Sequence, residues 1–219
     1  EVNFSIRAEE HPQGILLEEL DKIKYITPDY EVHLFDKPDA GEDGGFEFEW
    51  ILSKKPASNI LIATIQTKGL NFYKQLGLSK YWKVGDNHEG RIVVSVTDIE
   101  VLDTDGNRVA GKREGRRGVG SYAVYHKTKG GLNNAAGMEY KVGKAFDIYR
   151  PKVTDANGNS IWGELNIDEQ NGLLTVTINQ TWLDNAVYPV IVDPTFGFTS
   201  IGADFTNSSF IRFSLFALS

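Results

Sequence analysis

Apolar and polar residues alternate over short runs along most of this chain. The runs at 2–7 (VNFSIR), 30–35 (YEVHLF) and 46–52 (FEFEWIL) have the two-residue period of a strand with one buried face. Further strand-like segments lie at 59–66, 91–102, 120–126, 144–149, 160–167, 173–178 and 187–192. Ten such segments suffice for two packed sheets. The pattern therefore predicts an all-β fold: an antiparallel β-sandwich, Ig-like or jelly-roll-like, with long loops and a C-terminal extension.

Two segments depart from this alternation. The stretch TWLDNA predicts a single helical turn, with Thr181 as its cap and Asp184 returning a hydrogen bond three residues later. The stretch GILLEELDKI at 14–23 fits a short helix and a strand equally well, so both alternatives stay open.

Three Asp- and Asn-rich stretches predict tight turns between strands. They are DTDGN at 103–107, DANGN at 155–159 and DEQNG at 168–172. Asn-Gly and Asp-Gly tolerate the positive φ that two-residue hairpin turns require, and aspartate side chains bond their own backbone in such turns. Three hairpins are therefore expected.

The same loops raise the question of calcium. The stretch 155–166 has Ser160 and Asn166 where an EF-hand loop needs Gly and Glu, so that motif is excluded. A looser calcium site at Asp103, Asp105 and Asn107 is the alternative to an ordinary turn, and Ca²⁺ is the one cofactor that the sequence suggests.

Charge and composition narrow the classes of partner. The net charge is −7, which disfavours a nucleic-acid partner. The chain has no cysteine, which removes disulfides and thiolate chemistry together. No apolar run approaches the 18 residues of a membrane span, so membrane insertion is not expected.

Catalytic motifs were sought and not found. The four histidines form no HExxH pair, and there is no GxSxG, P-loop or GxGxxG pattern. We therefore predict a non-catalytic protein. Glycoside hydrolysis remains an alternative, because it needs only two carboxylates at a suitable separation and no sequence motif.

A cluster of aromatic residues suggests a binding surface. Tyr73, Tyr81 and Trp82 lie in FYKQLGLSKYW at 72–82, a segment with poor strand periodicity. Exposed aromatic rings on a loop can stack against sugars. The alternative is that these rings close one end of the core beneath a long connection.

The C-terminal part resembles a known module. The blocks GSYAVYHKTKG, EYKVGKAFDIYRPKVTDANGNSIWGELNI and LTVTINQTWLDNAVYPVIVDPTFGFTSIG are similar to a recurrent β-sandwich module of large surface and virion proteins of phages and bacteria. That module ends in WLxxAxYPVxxDPT, a pattern related to the YPVxxDPT found before DNRLRE-type repeats. The resemblance covers about residues 118–203 and implies an architecture and a setting, namely a virion or the cell surface, but no reaction.

The resemblance also divides the chain. It implies a sandwich over 1–195, with an inserted region at about 74–118, and an apolar arm over 196–219 that bears Phe205, Phe210, Phe213 and Phe216. Such an arm is too short to bury its own core, so it either begins a further module or is covered by pairing with a neighbouring subunit. We therefore expect a structural module of a homo-oligomeric assembly, with a carbohydrate-binding or adhesive module as the alternative.

Overall fold

The computed structural model describes residues 3–40, 44–75, 93–94, 101–102, 120–128, 132–133, 139–140 and 144–198. Its strands are β1 (Asn3–Ala8), β2 (Ile15–Glu18), β3 (Lys22–Ile26), β4 (Tyr30–Asp36), β5 (Gly45–Leu52), β6 (Ile60–Lys68), β7 (Leu70–Lys74), β8 (Val93–Val94), β9 (Val101–Leu102), β10 (Tyr122–His126), β11 (Leu132–Asn133), β12 (Glu139–Tyr140), β13 (Lys144–Ile148), β14 (Lys152–Thr154), β15 (Ser160–Trp162), β16 (Glu164–Asp168), β17 (Leu173–Thr177), β18 (Val190–Asp193) and β19 (Thr195–Phe198). One helix, α1, spans Gln180–Asn185.

Two antiparallel sheets hold most of these strands. The small sheet has the order β1-β6-β17-β16, and the large sheet has eleven strands. The pairs β8 with β9 and β11 with β12 form two further ribbons. The prediction of an all-β, sandwich-like fold is therefore confirmed.

Strand β5 is the centre of the large sheet. One of its edges pairs along its length with β4, beyond which lie β3 and then β2. Its other edge pairs with β18 and then with β19, in the same register on both sides of Pro194. Proline has no N–H to donate to the sheet, so the hydrogen-bond ladder is interrupted at Pro194. It resumes at β19, which runs in the same direction as β18. Beyond β18 lie β14 and β15, and beyond β19 lie β13, β10 and β7.

Glycines connect the two sheets. At Gly69, with φ of +70°, the chain leaves β6 of the small sheet and enters β7 of the large one. At Gly163 it passes from β15 of the large sheet to β16 of the small one, and a Cβ there would lie 2.9 Å from Pro151 and 3.0 Å from Val176. The predicted strand 160–167 is therefore two strands, because the corner needs a residue without a side chain.

The core fills the space between the sheets. Alternate residues of β5 point inward, so Phe46, Phe48, Trp50 and Leu52 are buried. Phe4 of the small sheet packs across the gap, with its ring centre 5.2 Å from that of Phe146. Aromatic rings in such edge-to-face contacts add to the stabilisation from burial alone.

The large sheet includes residues on both sides of position 195. Strand β19 spans Thr195–Phe198, and Phe196 is fully buried between β5 and β13. Within the predicted insertion at 74–118, the described residues are 74–75, 93–94 and 101–102.

Local predictions are confirmed in part. The turns at 155–159 and 168–172 do join hairpins, β14 to β15 and β16 to β17. The predicted helix is present, but its cap is Asn179, whose Oδ1 accepts from the Trp182 N–H at 2.9 Å. The prediction of Thr181 as cap was wrong, because the helix begins at Gln180 and Thr181 lies within it. Residues 15–18 of the ambiguous stretch form strand β2.

Candidate functional site

The outward face of the large sheet carries a row of acidic residues. Since side chains alternate along a strand, Glu47 and Glu49 of β5 point away from the core that Phe48 enters. Register places Thr195 directly beside Glu47, and Asp193 lies two residues before Thr195 on the same face. Residues far apart in the sequence are thus brought into one cluster.

Glu47 and Asp193 form a buried carboxyl pair. Glu47 is only 3% exposed, and its Oε1 accepts from Lys37 Nζ at 2.5 Å. The Thr195 hydroxyl lies 3.1 Å from the same Oε1 and 3.3 Å from Asp193 Oδ1. Burial, together with the charge of Glu47 and a hydrogen bond to it, raises the pKa of Asp193 to about 7. At neutral pH the pair therefore shares a proton over part of the population.

His33 and Glu49 extend this cluster along the sheet. His33 Nε2 lies 2.9 Å from Glu31 Oε2, and its Nδ1 lies 3.9 Å from Glu49 Oε2. Burial, followed by the charge of Glu47, raises the pKa of Glu49. Burial alone would lower the pKa of Lys37. Its hydrogen bond to Glu47 and the charge of Glu47 outweigh this, so the pKa of Lys37 lies above its usual value.

The geometry favours a structural role for the carboxyl pair. A glycosidase needs two accessible carboxyls about 5 to 10 Å apart. Here both groups lie within hydrogen-bond distance of the same Thr195 hydroxyl and Glu47 is buried, so the pair gives no support to that alternative. Instead, Lys37 attaches the segment after β4 to β5, because its N–H also donates to the Gly45 carbonyl at 2.9 Å.

A cavity of about 490 Å³ opens near the end of β1. Its floor includes Trp50 and Leu52, and Tyr30 lines its side. Burial raises the pKa of Tyr30 to about 12, so its hydroxyl stays protonated and donates to the Glu9 carbonyl at 3.0 Å. At the rim, Lys54 is paired with Asp29 at 2.7 Å. The charges of Lys54 and Asp29 thus satisfy each other.

The outermost strand β2 is the most unusual surface feature. Ile15, Leu16 and Leu17 are 58%, 50% and 43% exposed, and Leu20 just beyond them is fully exposed. Strand β2 pairs with β3, and no other described strand pairs with its second edge. An apolar edge of this kind is a template for pairing with another strand. Sequence reasoning left this segment undecided, although its run of three large aliphatic residues was visible.

The predicted site residues divide into two groups. Tyr73 belongs to β7, is 39% exposed, and contacts the Tyr125 ring edge-on at 5.7 Å between ring centres. The other predicted residues lie outside the described residues: Tyr81, Trp82, Asp103, Asp105, Asn107, Phe205, Phe210, Phe213 and Phe216. The sugar-binding, calcium and arm predictions therefore stay predictions.

The described part of the chain shows neither a metal-binding cluster nor a membrane-spanning helix. The described residues contain no group of three or more His, Asp or Glu side chains that could hold a metal ion. Within the same ranges, no helix has the length and apolar character needed to cross a membrane.

Comparison with known proteins gives no relative. No protein-family model, no curated protein and no solved structure matches this chain. Its class is therefore defined by its own fold, which is a mostly antiparallel, sandwich-like all-β structure.

Proposed function

We propose that this chain is a non-catalytic structural module of a virion or extracellular surface assembly, and that it contacts other subunits through the edge of its large sheet. The observation that carries the proposal is strand β2, whose Ile15, Leu16 and Leu17 are exposed on an edge with which no described strand pairs. The resemblance of its C-terminal half to modules of virion and surface proteins agrees with this setting.

The physical argument starts from what edge strands do in monomeric proteins. Such edges are usually protected by Lys, by Pro, by bulges or by a covering segment, because an unprotected apolar edge leads to association. The β2 segment has no Lys or Pro, and its only charged residue is Glu18 at the end. We therefore expect β2 to be covered in the functional state by another polypeptide.

The C-terminal arm is the second expected contact. Phe205, Phe210, Phe213 and Phe216 give residues 199–219 an apolar character that suits pairing with a neighbour. Strand donation by this arm is a prediction separate from the β2 contact, and a chain shortened to end at Phe198 tests it without disturbing β19.

Light scattering at several concentrations tests the β2 contact. Leu17→Lys places a charge on the edge and should shift the chain toward the monomer. Val187→Lys is the matched control, because Val187 has the same exposure of 43% but lies outside the large sheet's β2 edge. A wild-type chain that is monomeric at every concentration, or an equal effect of both substitutions, would contradict the proposal.

Carbohydrate binding is the second candidate, favoured by one described residue. Tyr73 presents a partly exposed ring beside Tyr125 at an outer strand of the large sheet, and such rings bind sugars by stacking. A polysaccharide pull-down should then retain the wild type and lose both Tyr73→Ala and Trp82→Ala. Retention by both variants would contradict this function.

A further inference from the structure

We infer that the partner of β2 is a second copy of this chain, paired antiparallel so that a twofold axis passes beside Leu16. The inference rests on the proposed function and adds to it the identity of the partner, the strand direction and the register. Three observations carry it: the hydrogen-bonding direction of each β2 residue, the charges at the strand's end, and its exposed aliphatic side chains.

Hydrogen bonding fixes which residues can contact a partner. The Glu19 N–H donates to the Lys22 carbonyl at 2.8 Å, and Leu17 lies opposite Lys24 in the same register. In an antiparallel pair, bonded and non-bonded positions alternate. The odd-numbered residues of β2 therefore use their backbone groups on β3. The even-numbered residues Leu16 and Glu18 direct theirs to the open edge.

This alternation restricts the register. A partner strand of the same sequence can form hydrogen bonds with β2 only when the even-numbered residues of the two copies lie opposite each other, because these residues direct their N–H and C=O groups to the open edge. A shift of one residue from the symmetric register breaks this condition. The arrangement with Leu16 opposite the partner's Leu16 satisfies it. Glu18 then lies opposite the partner's Gly14, whose N–H already donates to the His11 carbonyl at 2.8 Å, so the Leu16 pair supplies the hydrogen bonds of the dimer.

Charge selects the antiparallel direction. The acidic residues Glu18, Glu19 and Asp21 all lie at one end of β2. Parallel copies would bring these like charges together, which is destabilising for directly opposed residues. Antiparallel copies with Leu16 opposite Leu16 place each Glu18 about four residues from its copy and so separate these charges.

Side-chain positions give the pairing an apolar contact on both faces of the sheet. Ile15 and Leu17 lie on one face of β2. In the dimer each Ile15 would lie opposite Leu17 of the other copy, at a pair of residues that exchange no hydrogen bonds, where side chains come closest. Leu16 lies on the opposite face, in the row that continues through Tyr25 and Val32 of the core. The dimer would thus extend both the sheet and the apolar row beneath it.

Cysteine cross-linking tests the register directly, since the chain has no cysteine of its own. Opposed residues of a bonded pair have Cα atoms about 5.5 Å apart, within the range of a disulfide. Leu16→Cys in the full chain should therefore form a disulfide dimer on mild oxidation. Leu17→Cys is the control. In this register the two Cα atoms at position 17 lie diagonally across the strand pair, about 7 to 8 Å apart, so the disulfide should form at least about tenfold more slowly.

A proline substitution tests the backbone contact by sedimentation. Leu16→Pro removes an N–H that β3 does not use, so the variant should fold but dimerise about 10- to 100-fold more weakly, since both copies lose a hydrogen bond. Leu17→Pro removes an N–H that bonds β3 and should instead lower the stability of the monomer. Circular dichroism establishes whether each variant folds, and if Leu16→Pro does not, the cysteine pair decides.

The outcomes separate the two proposals. Fast cross-linking of Leu16→Cys, with the predicted loss in Leu16→Pro, supports the dimer. A wild-type chain that associates while Leu16→Cys cross-links no faster than Leu17→Cys overturns this register and leaves the proposed function standing. A wild type that is monomeric at every concentration overturns both.

Discussion

The buried carboxyl pair predicts that Asp193→Asn stabilises this protein at alkaline pH. Burial and the neighbouring Glu47 raise the pKa of Asp193 from 3.8 to about 7 in the folded state. Between pH 3.8 and about 7, Asp193 therefore keeps its proton in the folded protein, whereas the unfolded chain has already released it. The free energy of unfolding must then fall as pH rises through this window, because the folded state binds more protons.

The magnitude follows from the width of the window. Each pH unit corresponds to about 1.4 kcal/mol, so ionising Asp193 in the folded state costs about 4 kcal/mol in total. Asparagine has nearly the same size, keeps an oxygen for Thr195, and its amide can donate to Glu47 where the shared proton now lies. The variant should equal the wild type near pH 4 and exceed its stability by up to about 4 kcal/mol at pH 8.

Urea unfolding followed by tryptophan fluorescence at pH 4, 6 and 8 measures this difference. Asp36→Asn is the control, because Asp36 is an exposed carboxyl at the end of β4 and its removal should change stability by less than about 0.5 kcal/mol. If Asp193→Asn were no more stable than the wild type at pH 8, or if the difference did not grow with pH, the account of the pair would be wrong.

Three further predictions concern the fold. Gly163→Val should cost about 1 to 3 kcal/mol in urea unfolding, because its side chain would overlap Pro151 at the sheet corner. Asn179→Ala should cost about 1 kcal/mol through loss of the helix cap, whereas Thr181→Ala should leave the unfolding midpoint almost unchanged. A chain ending at residue 194 should lose cooperative unfolding, since it lacks the central strand β19, while one ending at Phe198 should keep it.

The sequence predicts best the strands that have one buried face. Strand β5 alternates strictly, since Phe48 and Trp50 enter the core while Glu47 and Glu49 do not. Strand β2 gave no such signal, because all four of its residues are exposed and large aliphatic side chains lie on both of its faces. A segment that buries nothing in the monomer cannot be identified by the pattern of burial.

The site could be predicted less well than the fold. Thr195 and Glu47 are 148 residues apart, and their contact depends on the register between β5 and β19, which local patterns do not specify. The turn at 155–159 was accessible from sequence because its contacts are local: Asp155 Oδ1 accepts from the N–H groups of Asn157 and Asn159 at 3.0 and 2.8 Å.

Sedimentation equilibrium of the wild type and of Leu16→Pro, over a wide range of concentration, tests the central claim most directly. The account predicts that the wild-type mass rises with concentration from 24.4 kDa toward twice that value, while Leu16→Pro stays folded and close to 24.4 kDa over the same range. A wild type that remains at 24.4 kDa at every concentration, or a Leu16→Pro variant that folds and associates as strongly as the wild type, would contradict assembly through the β2 edge.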